Sequence, residues 1–175
     1  FHVDNELGNL NVRDNQYSDA LPYYEQALEL VDELGEDYEQ EKPSILTNIA
    51  RILTKQKKYE EALELLEESL EIRRNSTDPD KELEITRSLV AVAEVLVEME
   101  ELEEAISTFE EVLSRRLEYN KEEPNDLTVA YAHYHLARAY RADEQHGESA
   151  AHFEEALRIW TIILEPNHEN LGQCS

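Results

Sequence analysis

Glycine is scarce in this chain, with 4 among 175 residues, at Gly8, Gly35, Gly147 and Gly172. None stands in a cluster, so no glycine-rich loop is available to cradle a phosphate. The single cysteine, Cys174, excludes an internal disulfide and fits a reducing compartment. Basic residues are also few, 16 Lys and Arg against 41 Asp and Glu, for a formal charge of −25. That balance argues against nonspecific nucleic-acid binding and against attraction to an anionic membrane, since both need a basic footprint. No apolar run approaches the roughly 20 residues that span a bilayer. No charged-then-apolar signal segment opens the chain, and the expected location is cytoplasmic.

Recognisable catalytic groupings are missing as well. Catalysis calls for a nucleophile beside a base, carboxylates in split environments, or a metal cluster. The 6 histidines are scattered. His133 and His135, two apart on a helix, point to different faces. Glu148 and His152, four apart, share a face but supply only two ligands, too few for a zinc site. The many carboxylates lack the spacing and central glycine of a calcium loop. The expectation is a protein that is not an enzyme, with no cofactor and no metal.

What the chain does have is repetition. Tyr59 to Leu70, read around Ala62, returns in edited form around Ala20, Ala105 and Ser149. The steps are 42, 43 and 44 residues, a period that marks a solenoid. About a dozen residues before each of the later copies lies a second apolar stripe: Leu46, Ile49, Ala50 and Leu53; Leu89, Val92, Ala93 and Leu96; Leu136, Ala137 and Tyr140. Offsets of three and four place each stripe on one helix face. The unit is therefore a hairpin of helix A and helix B. Small residues recur where the two cross, because close approach demands a short side chain and overpacking costs about 1–3 kcal/mol.

This pattern resembles the tetratricopeptide repeat, and within it the longer repeats of kinesin light chains. The shared features are the run Tyr17, Ala20, Pro22 and Tyr24, the Asn48 that precedes Ile49-Ala50, and the linker Leu164-Glu165-Pro166-Asn167-His168-Glu169. Glu165 and Glu169 stand where that family has Gly and Pro. The expected fold is all-α: a right-handed α–α superhelix of four helix hairpins plus a partial fifth helix A. Residues 1–175 read as a single solenoid fragment, with repeats at roughly 1–42, 43–85, 86–129 and 130–166, and a further repeat starting at 167–175. The chain begins at Phe1 and both ends read as cut, so a longer repeat array is expected.

The resemblance implies a concave wall lined by helices A that grips a peptide. Its inward positions would be Glu6, Asn9 and Arg13; Ser44, Thr47, Asn48, Arg51 and Lys55; Arg87, Val90, Ala91, Glu94 and Glu98; and Tyr131, Tyr134, His135, Arg138 and Arg141. These carry six basic and three acidic residues in a chain of −25. A basic strip in an acidic shell draws an acidic peptide inward. The expected site is thus Asn48, Arg51, Lys55, Arg87, Val90, Tyr131, Tyr134, His135, Arg138 and Arg141. Arginines would take carboxylates and tyrosines would give rigid contact area. Ala91 stands where a chaperone-tail clamp needs a polar residue, which excludes that ligand.

Helix A of the third repeat, Ser88 to Val97, is apolar on almost every face and is expected to be buried all round. Val90, Ala91 and Val97 are its candidate groove floor. Trp160 is expected to pack on a following repeat. The partner is expected to be protein, an acidic peptide with an apolar anchor. The rival reading is a structural scaffold that self-associates through its repeat ends.

Overall fold

The computed structural model describes residues 17–123 and 125–164. The first helix A and the start of a fifth, Asn167 to Ser175, lie outside the described residues. Those residues form seven α-helices and one 3₁₀ turn. They are α1 (Tyr17–Leu34), the 3₁₀ turn Glu36–Glu41, α2 (Lys42–Lys55), α3 (Tyr59–Asn75), α4 (Lys81–Glu98), α5 (Leu102–Tyr119), α6 (Leu127–Ala142) and α7 (His146–Leu164). No strand occurs among the described residues. The helices fall into two compact units that divide after Glu100. No helix among the described residues is long and apolar enough to cross a membrane.

The ends of the helices follow from local chemistry. Gly35, at φ 76° and ψ −155°, takes a positive-φ conformation open to glycine and ends α1, and its N–H reaches Val31 O at 3.0 Å. Pro43 sits in the first turn of α2, where a missing N–H costs little. Pro22 lies inside α1, which runs from Tyr17. Asp126 caps α6 by accepting from the Thr128 N–H at 2.7 Å.

The A-to-B turns are built without glycine. Lys57, Glu100 and Glu144 have φ of 62°, 64° and 58°. Around Lys57 the chain forms a Schellman closure: Lys57 N–H donates to Thr54 O at 3.0 Å and Lys58 N–H to Leu53 O at 2.9 Å. Glu144 and Gln145 repeat it, donating to Arg141 O and Tyr140 O at 3.2 and 2.9 Å.

In the first unit the core runs through Ala20, Tyr24, Ala27 and Val31 of α1, Ile45, Ile49 and Ile52 of α2, Ala62 and Leu66 of α3, and Ala91 and Val95 of α4. The small residues expected at helix crossings, Ala50, Ala62, Ala93, Ala105 and Ala137, are fully buried, and Ser149 nearly so. Burial pushes the Tyr24 hydroxyl up to about 12, against the opposing pull of Arg51. Lys42 ties three helices together, meeting Asp32 of α1 at 3.1 Å and Glu68 of α3 at 3.0 Å. The hydrogen bond to Glu68 pushes its pKa up.

A polar seam joins α2, α3 and α4. Ser69 is fully buried; its hydroxyl donates to Pro43 O at 3.1 Å and lies 3.0 Å from Ser88 Oγ. Arg73, 7% exposed, donates to Glu84 O at 3.0 Å and to Ser88 Oγ, and pairs with the Glu84 carboxylate at 3.2 Å. Burial holds the Arg73 pKa below the usual arginine range. The arrangement recurs in the second unit: Arg116, also 7% exposed, donates to Thr128 O at 2.6 Å. Twice, then, an arginine in the last part of a helix B anchors the first turn of the following helix A. Unpaired buried polar groups are costly, so these sites are satisfied.

Candidate functional site

Residues expected on one basic wall divide between the two units. In the first unit Asn48 is half-buried and Arg51 exposed. Lys55 faces Glu98 at 3.8 Å, and Arg87 is paired with Glu84 on its own helix. Two of the three cations expected there are therefore already matched by carboxylates. Val90 and Val97 are half-buried, and Ala91 is buried against the core, so it forms no open floor. Helix α4 buries most of its faces, as its all-round apolar pattern requires.

The second unit brings Tyr131, Tyr134, His135, Arg138 and Arg141 together on α6. Tyr134 is the hub. Its ring meets His135 edge-on at 5.8 Å, Phe153 of α7 at 5.9 Å and Trp160 of α7 at 5.7 Å. Tyr131 meets Trp160 edge-on at 5.8 Å. The Arg138 guanidinium sits 5.8 Å above the Tyr134 ring, and that of Arg141 5.9 Å above Phe153. Both arginines are exposed, and neither has an ion-pair partner among the described residues. Each guanidinium lies near the outer limit of a cation–π contact and is exposed, so its N–H donors can be reached by a carboxylate.

Phe153 and Trp160 were not among the residues expected at the site. Both stand on a helix B, and Trp160 was assigned to packing on a following repeat. The seven-residue spacing that puts them on one face of α7 was the available signal. Neither Arg73 nor Arg116 was singled out, although each follows its crossing alanine by eleven residues.

His135 stacks on Phe109 of α5, with ring centroids 5.6 Å apart. Burial, reinforced by Arg138 and Arg116, pushes its pKa down to about 4. His133 points elsewhere, toward α7, where one of the Nδ1 atoms of His133 and His152 donates to the other at 2.9 Å. Burial depresses both. His152 also stacks on Tyr140, whose hydroxyl donates to Glu110 at 2.8 Å and is pushed up to about 12 by that bond. Among the described residues no three His, Cys, Asp or Glu side chains lie close enough together to hold a metal ion.

A pH dependence follows for His135. Its folded pKa lies below the unfolded value of about 6.5, so below that pH the unfolded chain binds more protons. The stabilisation is complete above pH 6.5 and is lost as pH falls toward about 4. Acid also relieves carboxylate repulsion across the chain, so the test is a difference. The stability gap between wild type and His135→Phe is expected to move against wild type from pH 7 to pH 4.5 in denaturant titrations. A constant gap would show that the ring is hydrated.

Family models described as tetratricopeptide repeat match residues 2–75, 41–118 and 129–170. Among solved structures, BtubC (BKLC) from P. vanneervenii is 21% identical with a TM-score of 0.75; the match covers 95% of this chain and 66% of that one. A putative kinesin light chain from Podospora anserina, with nearly identical TPR-like repeats, is 20% identical at TM-score 0.67, covering 93% and 76%. The Rap conjugation gene regulator of plasmid pLS20, solved with the Phr* peptide, is 16% identical at TM-score 0.76, covering 89% and 41%. At these identities the likeness shows the fold. The chain thus spans about two thirds of the first of these proteins and well under half of the last. No curated protein matches it in sequence.

Proposed function

The chain belongs to the tetratricopeptide repeat family, and from that premise we propose a non-enzymatic interaction module that captures an acidic peptide segment carrying an apolar anchor. The observation that carries this reading is the pair Arg138 and Arg141. In a chain of −25 they are exposed, within about 6 Å of aromatic ring centroids and unmatched by any described carboxylate. Tyr131 and Tyr134 supply the rigid aromatic area that anchors an apolar side chain. Arg51 is the equivalent cation of the first unit, while Lys55 and Arg87 would have to leave their glutamates to take part. The peptide seen with the Rap relative is consistent with this use of the fold.

Isolated capture of this kind is expected near micromolar, about −8 kcal/mol, and weaker at high salt. The double variant Arg138→Glu/Arg141→Glu is expected to lose an acidic, aromatic-containing peptide in fluorescence titrations, by a factor of about 100 or more, with helicity unchanged. Equal binding by the double variant would remove the proposal. The alternative, a scaffold that self-associates, predicts scattering mass that rises with concentration and no peptide binding.

A further inference from the structure

We infer that the His133–His152 pair is a proton-sensitive joint in the α6–α7 hairpin, closed while the two imidazoles share one bridging proton and released when acid gives each its own. This goes beyond the peptide-capture reading and does not depend on it.

The repeat pattern marks the pair as a departure. Counted from the crossing residues Ala50 and Ala137, His133 holds the place of Leu46; counted from Ala62 and Ser149, His152 holds that of Leu65. The third repeat has Leu89 and Thr108 there. Leu46 and Leu89 are buried, and Leu65 packs on the core of the first unit. The last hairpin thus closes on two half-buried imidazoles where a sister hairpin uses leucines.

The geometry admits one proton between the rings. The two Nδ1 atoms are 2.9 Å apart, with ring centroids at 5.1 Å. At that separation one nitrogen donates and the other must offer its lone pair. A first added proton goes to Nε2 of the donor ring and leaves the bridge intact, now charge-assisted. A second removes the acceptor and sets two cations against each other.

The surroundings offer little to neutralise that second charge. Glu155 and Arg158 of α7 face His133, but they are bound to each other at 2.6 Å. Glu110 of α5 faces His152 and already accepts from the Tyr140 hydroxyl of α6, whose ring stacks on His152 at 5.6 Å. Glu148 stands one turn before His152 on α7 and acts on Tyr140. Burial outweighs these carboxylates and holds both histidines below their usual range. Both folded values therefore lie below the unfolded 6.5, so the stabilisation by the pair is complete above that pH and is lost as pH falls beneath it.

Other ties in the hairpin are indifferent to acid. The Ser149 hydroxyl donates to Ala137 O at 2.9 Å on the side of the turn, and Val129, Ala130 and Ile159 are buried toward the other end. The release is local. It falls beside Tyr134 and Phe153, which directly follow the two histidines and meet at 5.9 Å, so the aromatic cluster of the candidate site rests on the joint.

Two measurements on the full chain test this. In side-chain NMR, His133 and His152 are expected to titrate in two separate steps, as coupled sites do, the second below pH 6.5. In denaturant titrations, the folding constant of wild type relative to His133→Leu/His152→Leu is expected to fall about tenfold or more from pH 7.5 to pH 5. His135 is common to both proteins and drops out of the ratio. A single step shared by both rings near pH 6.5, or a ratio that stays constant, would show two independent, hydrated imidazoles and overturn the inference. Should the leucine variant fail to fold, the wild-type titration decides alone.

Discussion

Arg73→Ala is expected to lower the unfolding free energy by about 3 kcal/mol, the lower end of what removing one partner of a buried ion pair costs. Glu84 keeps some access to water, with 29% of its side chain exposed, which is why the lower end applies. The arginine is nonetheless buried, and it reaches four groups at once: the Glu84 carbonyl, the Glu84 carboxylate, the Ser88 hydroxyl and, at 3.5 Å, the Ser44 hydroxyl. Its loss leaves the Ser88 hydroxyl with that of Ser69 as its remaining partner among the described residues, in the seam between α3 and α4. Denaturant titration would read the change directly, and a thermal scan would show a drop of roughly 6–12 °C for a chain of this size. Arg73→Met, which keeps the volume, separates packing from bonding. A double cycle with Glu84→Gln should give strongly non-additive losses. A cost below about 1 kcal/mol for the alanine variant would mean that water replaces the guanidinium and that the seam is not a latch.

The second large effect concerns two leucines at the same repeat position. Leu70→Ala is expected to cost about 2–5 kcal/mol, since it empties a buried site, 6% exposed. Leu157→Ala is expected to fall within about 0.5 kcal/mol, because its side chain already faces solvent. Measured in one background, the contrast isolates coverage from residue type. Equal costs would show that the two leucines are equally shielded from water.

Much of the fold was legible because a repeat states its rule several times. The three- and four-residue offsets gave the helices, and the recurring small residues gave the crossings at Ala62, Ala105 and Ser149, which are buried as expected. Asp78-Pro79-Asp80 lies between α3 and α4, as a proline flanked by aspartates favours. The turns were less legible. Nothing in the composition of Lys57, Glu100 or Glu144 announces a left-handed residue. The hydrogen bonds of the helix end impose it, at a cost glycine would have avoided.

The candidate site was legible in part. Reading positions along helix A gathered Tyr131, Tyr134, Arg138 and Arg141, and the structure brings these together. It could not tell which cations were already matched, because Lys55 and Glu98 are 43 residues apart in sequence and 3.8 Å apart in space. Nor could it show Ala91 turned into the core, or Phe153 and Trp160 meeting Tyr134 from another helix.

By itself the sequence determined the all-α repeat architecture, the acidity of the molecule and the lack of any recognisable catalytic grouping, since periodicity, charge and residue type are properties of the chain as written. Tertiary structure decided which arginines stay available and which leucines stay open. Those depend on what happens to pack opposite each side chain, and packing partners come from far along the chain.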